Sequence, residues 1–350
     1  MKVARVLSWA LVGACLAASA GADEIQMRTP AYSLPQEVVS AATAFEQYMA
    51  SAAKIDAGIG DGGAVAKDLQ TASAYEPSQM EEGMVAYGAI VALQDERFVA
   101  GVDHAAGQGD ERAAFADHLV QDPFQVTRVD GAEEAARRIE AALGARASAL
   151  QSAGAQVTAD AYSVQHQAWS QAAVGDPESR LADVKARSHA RATPSDDDNQ
   201  AMLAVLTSVD PSAAAGGDVA PGVTPIEARA LALAAESVLG RAHGVDRDRL
   251  TPLFSEVDSA ECLRIAKLNL YQCMAVAGPQ YEDIYCMGQH AMADTAACVA
   301  SAAHGAQTQV ASAAPPPDPP ATDGSPDGSP DGSPDGSYVQ VAARQSADPN

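Results

Sequence analysis

The sequence predicts an all-α protein, a multi-helix, bundle-like array that closes with a disulfide-stapled antiparallel α-hairpin and a disordered tail. Three observations predict it. Roughly 78 of the 350 residues are alanine, the strongest helix former, whereas aromatic residues make up 5% and β-branched strand formers are scarce. Prolines preceded by good N-cap residues recur along the chain, as in Asp122-Pro123, Asp176-Pro177, Thr193-Pro194, Thr224-Pro225 and Thr251-Pro252. Four cysteines, Cys262, Cys273, Cys286 and Cys298, lie close together near the C-terminal end at helical spacings.

Residues 1–22 read as an export signal: Lys2 and Arg5, an apolar stretch from Val6 to Leu16, then small residues ending at Ala20 or Ala22. Val12-Gly13-Ala14-Cys15 also resembles a lipobox, and on that alternative Cys15 becomes the lipidated first residue. No later segment carries the 18 or so uninterrupted apolar residues of a membrane span. The expected location is therefore periplasmic or secreted, with a lipoprotein as the alternative.

A proline at the first helical turn loses no hydrogen bond, and the Asp or Thr before it accepts from an orphan amide. These breaks predict helices over 35–57, 63–74, 77–93, 96–107, 110–121, 131–173, 177–191, 196–208, 225–243, 252–277 and 279–303. Gly144 and Gly154, with Thr158 as a possible cap, suggest that 131–173 divides into two. Thr224-Pro225-Ile226-Glu227 is a capping box ahead of an Ala/Leu run. Residues 213–222, with Gly216-Gly217 and Pro221-Gly222, predict a linker between an N-terminal helical domain, 23–212, and a C-terminal one, 223–305. From residue 306 the chain turns to Pro315-Pro316-Pro317-Asp318-Pro319-Pro320 and an Asp-Gly-Ser-Pro repeat, a composition without the large apolar side chains that offset ordering entropy.

Cys262 and Cys273 stand 11 residues apart on one expected helix, about 16 Å along its axis, beyond the roughly 7 Å limit on disulfide Cα separation. Cys286 and Cys298, 12 apart on the next, are excluded likewise. A tight turn at Gly278-Pro279 makes the helices antiparallel and selects the nested pairs, Cys262 with Cys298 and Cys273 with Cys286. One detail opposes this: twelve residues of ideal α-helix turn Cys298 about 120° away from Cys286. The arrangement resembles the twin-cysteine α-hairpins of small oxidatively folded proteins over about forty residues, a resemblance that implies architecture and no activity. A zinc site would need converging thiolates, which these spacings spread along two helices.

Acidic residues number 46 against 22 basic ones, a formal charge of -24, so nucleic acid and anionic membrane surfaces are excluded as partners on electrostatic grounds. Individual motifs carry little chemistry. Glu236-Ser237 within an Ala/Leu helix resembles the Glu-Ser of lytic transglycosylases, which implies Glu236 as a general acid on a cell-wall glycan, although the residues that follow depart from that family. Ser51 and Lys54 match Ser-x-x-Lys without its companion motifs. His290 lies four residues from both Cys286 and Asp294, a face that could hold a metal only if Cys286 were reduced. Asp103-His104 and Asp117-His118 read as solvated helix surface, Asp196-Asp197-Asp198 as a negatively charged helix N-terminus complementing the macrodipole rather than a calcium loop, residues 56–63 as a flexible turn, and residues 77–93 as the most apolar internal helix, with a Met-bearing groove as the alternative. No catalytic set, metal site or cofactor motif emerges. The expectation is a non-catalytic binding or scaffolding protein of the cell envelope with a protein partner, the alternative being a glycan hydrolase acting through Glu236.

Overall fold

The computed structural model describes residues 34–208, 222–242 and 247–305. The export signal with Cys15, nearly all of the expected linker and the tail lie outside them. The described chain is helical, in the order α1 (Gln36–Ala52), α2 (Gly62–Ala72), α3 (Pro77–Ala92), α4 (Glu96–Ala105), α5 (Asp110–Gln121), α6 (Ala132–Val164), α7 (Pro177–His189), α8 (Asp196–Ser208), α9 (Pro225–Val238), α10 (Arg247–Leu250), α11 (Val257–Val276), α12 (Gln280–Cys286) and α13 (Asp294–His304). Turns of 3₁₀-helix occupy Pro123–Arg128 and Thr251–Phe254, and Met287–Ala293 is π-helical. No described helix is long and apolar enough to cross a membrane.

Capping chemistry explains most of the starts. Asp61, Asp95 and Asp176 accept from the first free amides of α2, α4 and α7, and Thr224 with Glu227 forms the full capping box of α9. α8 begins at the expected residue, 196, and one expected start, that of 252–277, moves. Past Thr193-Pro194, Ser195 caps α8 reciprocally with Asp198: the Ser195 amide donates to the carboxylate at 2.9 Å and the Asp198 amide to the hydroxyl at 3.2 Å. Thr251-Pro252 opens only a 3₁₀ turn, because Ser255 and Glu256 are extended and the α-helix begins at Val257. There Glu256 caps α11 while its own amide donates to the buried carboxylate of Glu81 on α3.

All but two of the sixteen residues of α3 are buried. It packs against α1, α6 and α9, and the small residues that dominate composition set how closely. A Cβ on Gly88 would stand 2.8 Å from that of Ala230 and 3.0 Å from Ile139 Cγ2. The contact of α3 with α9 has a consequence for domain organisation: the described helices on either side of residues 213–222 share one core rather than forming two. Residues 132–164 form a single helix of 33 residues instead of dividing. Gly154 fails to break it because its bare face is where the π-helical segment crosses, and a Cβ there would meet Gly288 O at 2.8 Å.

At the hairpin, Cys262 joins Cys298 and Cys273 joins Cys286, with Cα separations of 5.6 and 5.7 Å. The expected second helix, 279–303, is interrupted by the π-helical segment, and this resolves the angular misfit. Bonds from i to i+5 absorb about one residue, or about 100° of winding, relative to α geometry. Twelve residues then turn like eleven, and both cysteines of each arm face the other arm. The turn is pinned from outside, since Gln280 and Tyr281 amides donate to Ala172 O and Ser170 O at 3.1 Å.

Candidate functional site

The residues that sequence reasoning singled out are mostly structural. Glu236 on α9 is wholly buried, its carboxylate paired with Arg249, whose guanidinium also reaches Asp117 at 3.4 Å. Burial raises its pKa, opposed by the hydrogen bonds and charge of Arg249. A raised carboxyl pKa suits a general acid, but this carboxylate is fully enclosed and paired with Arg249 in the described structure. Ser51 and Lys54 are exposed at the end of α1, with Lys54 beyond the last helical residue. Cys286 is oxidised and unavailable to a metal, and among the described residues no group of three or more His, Cys, Asp or Glu is placed to hold one. His290 instead hydrogen-bonds Asp294 at 2.8 Å. Burial pushes the Asp294 carboxyl up, but hydrogen bonds to His290, Asn269 and Gln289 outweigh that and hold it below its usual value. Asp103 pairs with Arg112 and Asp117 with Arg241, while His104 and His118 face solvent. Met80 and Met84 are buried in the core, which removes the Met-bearing groove.

Several chemically loaded groups were passed over. Lys267 is 3% exposed, with Nζ donating to Ser73 O at 2.7 Å and lying 3.4 Å from the Tyr75 ring centroid. Burial drives its pKa well below the usual lysine value. The signal was available, because Leu263, Ala266, Lys267, Leu270 and Met274 recur at helical spacing on the buried stripe of α11. Arg180 on α7 holds both carboxylate oxygens of buried Asp283, at 2.7 and 2.8 Å, and donates to Met274 O and Ala277 O at the end of α11. These groups lock the hairpin to the body of the protein.

Two surface features remain. A cavity of about 990 Å³ between the starts of α4 and α6 holds four arginines, but three are engaged by carboxylates in its own wall. Arg97 meets Asp130 and Arg137 meets Glu134 at 2.7 Å, and Arg138 meets Asp95 at 3.2 Å. The second feature lies on the stapled hairpin. The outer face of α11 exposes Ile265 by 49%, Leu268 by 51% and Val276 by 84%. At its C-terminal end this face runs into a groove of about 410 Å³ between α6, α11 and α12, walled by Tyr162, Tyr281, Tyr285 and the Cys273–Cys286 bridge. Comparison with family models, with curated proteins and with solved structures finds no match for this chain.

Proposed function

We propose that the protein is exported to the cell envelope, periplasmic or secreted, and acts there by binding a protein partner rather than by catalysis. One observation carries the reading: large apolar side chains stand exposed in a row on α11, the helix that two disulfides and the Arg180 cluster hold rigid. A monomeric surface ordinarily scatters such residues, and their alignment on one face of one helix, with only Gln272 between Leu268 and Val276 on that face, marks a contact face. Rigidity favours this role, since a pre-ordered face loses little conformational entropy on association. The disulfides suit an oxidising compartment, and the buried setting of Glu236 favours binding over glycan cleavage.

The test is a photo-crosslinking residue in place of Gln272, which lies between Leu268 and Val276 on the exposed face, in intact cells. A discrete cross-linked species is expected, and Leu268→Asp with Val276→Asp removes it while leaving the folded protein and its disulfides intact. Persistence of the species in that double variant would overturn the contact face, and cleavage of purified glycan by the wild type but not by Glu236→Gln would overturn the non-catalytic reading.

A further inference from the structure

The groove at the end of α11 has a chemistry of its own. Tyr162 and Tyr285 come from helices distant in sequence, and their rings meet at 6.1 Å between centroids and 77° between planes, forming the corner of a box. Tyr281 contributes a third ring to the lining, and Cys273–Cys286, Val276 and Ala277 supply apolar wall. Tyr162 is 58% exposed, so the corner is open to solvent.

The one charged side chain lining this corner is a carboxylate, while the His290 ring packs edge-on against Tyr285 at 6.4 Å between centroids. Glu282 lines the groove, its carboxylate accepting from the Gly278 amide at 2.8 Å and the Tyr281 hydroxyl at 3.4 Å, and no Lys, Arg or His is among the lining residues. Val276, the last residue of the 20-residue α11, is also in the wall, but Arg180 caps the Met274 and Ala277 carbonyls there and the start of α12 meets the same groove, so the helix ends lend it no net sign. Aromatic faces carry negative quadrupole potential, which adds to the Glu282 carboxylate. The ring faces and the carboxylate disfavour an anion, and a small strongly hydrated cation gains nothing from the apolar wall. An alkylated ammonium gains from both.

We propose that this corner binds an organic cation, a quaternary or tertiary alkylammonium group, with the tyrosine rings around the methyl groups and Glu282 as counter-charge. The proposal deepens the binding reading above by naming the chemistry that the contact face selects. The site size is suitable, since small-molecule pockets begin near 300 Å³.

The experiment titrates the oxidised protein with choline and with 3,3-dimethylbutan-1-ol, its neutral isostere, following protein and ligand resonances by NMR. Saturable binding of choline at least about tenfold tighter than the isostere is expected. Tyr162→Ala weakens it several-fold, Tyr162→Phe retains it because the ring face persists, and Glu282→Gln reduces the preference for charge. Equal binding of the two ligands, no saturable binding of choline at tens of millimolar, or an unaltered affinity in Tyr162→Ala overturns the proposal. Cross-linking at residue 272 reports separately. If it gives its partner while choline fails, the cation site alone falls, and if choline binds while no partner forms, the protein-contact reading falls.

Discussion

Replacing Arg180 by methionine tests whether the hairpin is held to the body by a buried ion pair. The side chains of Arg180 and Asp283 are 10% and 2% exposed, and the guanidinium also satisfies two carbonyls at the end of α11. Burial raises the Asp283 pKa from 3.8 to about 6 even with Arg180 beside it. A carboxyl raised in the folded state adds no cost below its unfolded pKa, a growing cost up to its folded pKa and a constant cost above. In the wild type that plateau is about 3 kcal/mol, reached near pH 6. Without the arginine the folded pKa climbs further, so the variant departs from the wild type progressively above pH 6. At about pH 8 an uncompensated buried charge predicts a loss of about 3–5 kcal/mol. At about pH 4 Asp283 is largely neutral in the variant, and the lost hydrogen bonds leave a deficit nearer 1–2 kcal/mol. Urea unfolding followed by far-ultraviolet circular dichroism at both pH values measures the difference, and Arg180→Met with Asp283→Asn should recover most of the alkaline loss. A deficit that is the same at both pH values, or under about 1 kcal/mol at the higher one, refutes the reasoning.

Two further outcomes are expected. Burial pushes both Glu81 and Glu227 up to about 7 from 4.5, so stability should fall as pH rises from 4.5 to 7, by up to roughly 3 kcal/mol for each group. In Glu81→Gln, which keeps an acceptor for the Glu256 amide, urea midpoints should vary less over that window, and an unchanged slope would count against a buried carboxyl. Among the disulfides, replacing Cys262 and Cys298 by serine removes a closure of separation 36, and replacing Cys273 and Cys286 one of 13. Loop entropy predicts losses of about 4 and about 3 kcal/mol, so the outer pair should lower the denaturation midpoint more, and the reverse order would show native-state strain governing instead.

Local chemistry made much of this fold readable. Asp176-Pro177 and Thr224-Pro225 mark helix starts because the cap and the proline act within one turn, and the cysteine spacings select one bonding pattern because helix rise is constant. What escaped reading depends on partners distant in sequence. Nothing near Ala230 announces that Gly88 will accept it closely, and so that α9 joins the core of α3. Nothing near Gly154 announces that Gly288 will cross it and spare the helix a break. Glu236 resembles a catalyst in sequence because Arg249 and the core that enclose it are contributed from elsewhere in the chain. The tyrosine corner was invisible for the same reason, since Tyr162 and Tyr285 meet only through the crossing of α6 with the hairpin.

The π-helical stretch ties sulfur chemistry to packing. Its crowded crossing with α6, where a Cβ on Gly288 would sit 2.6 Å from the Thr158 amide nitrogen, leaves the stretch little freedom to rewind. Restored to ordinary pitch, it would swing Cys298 away from Cys262 and leave the outer thiols unmatched. Oxidation of that pair is thus coupled to docking: an oxidant closes the Cys262–Cys298 bridge most readily on a chain whose interior has assembled.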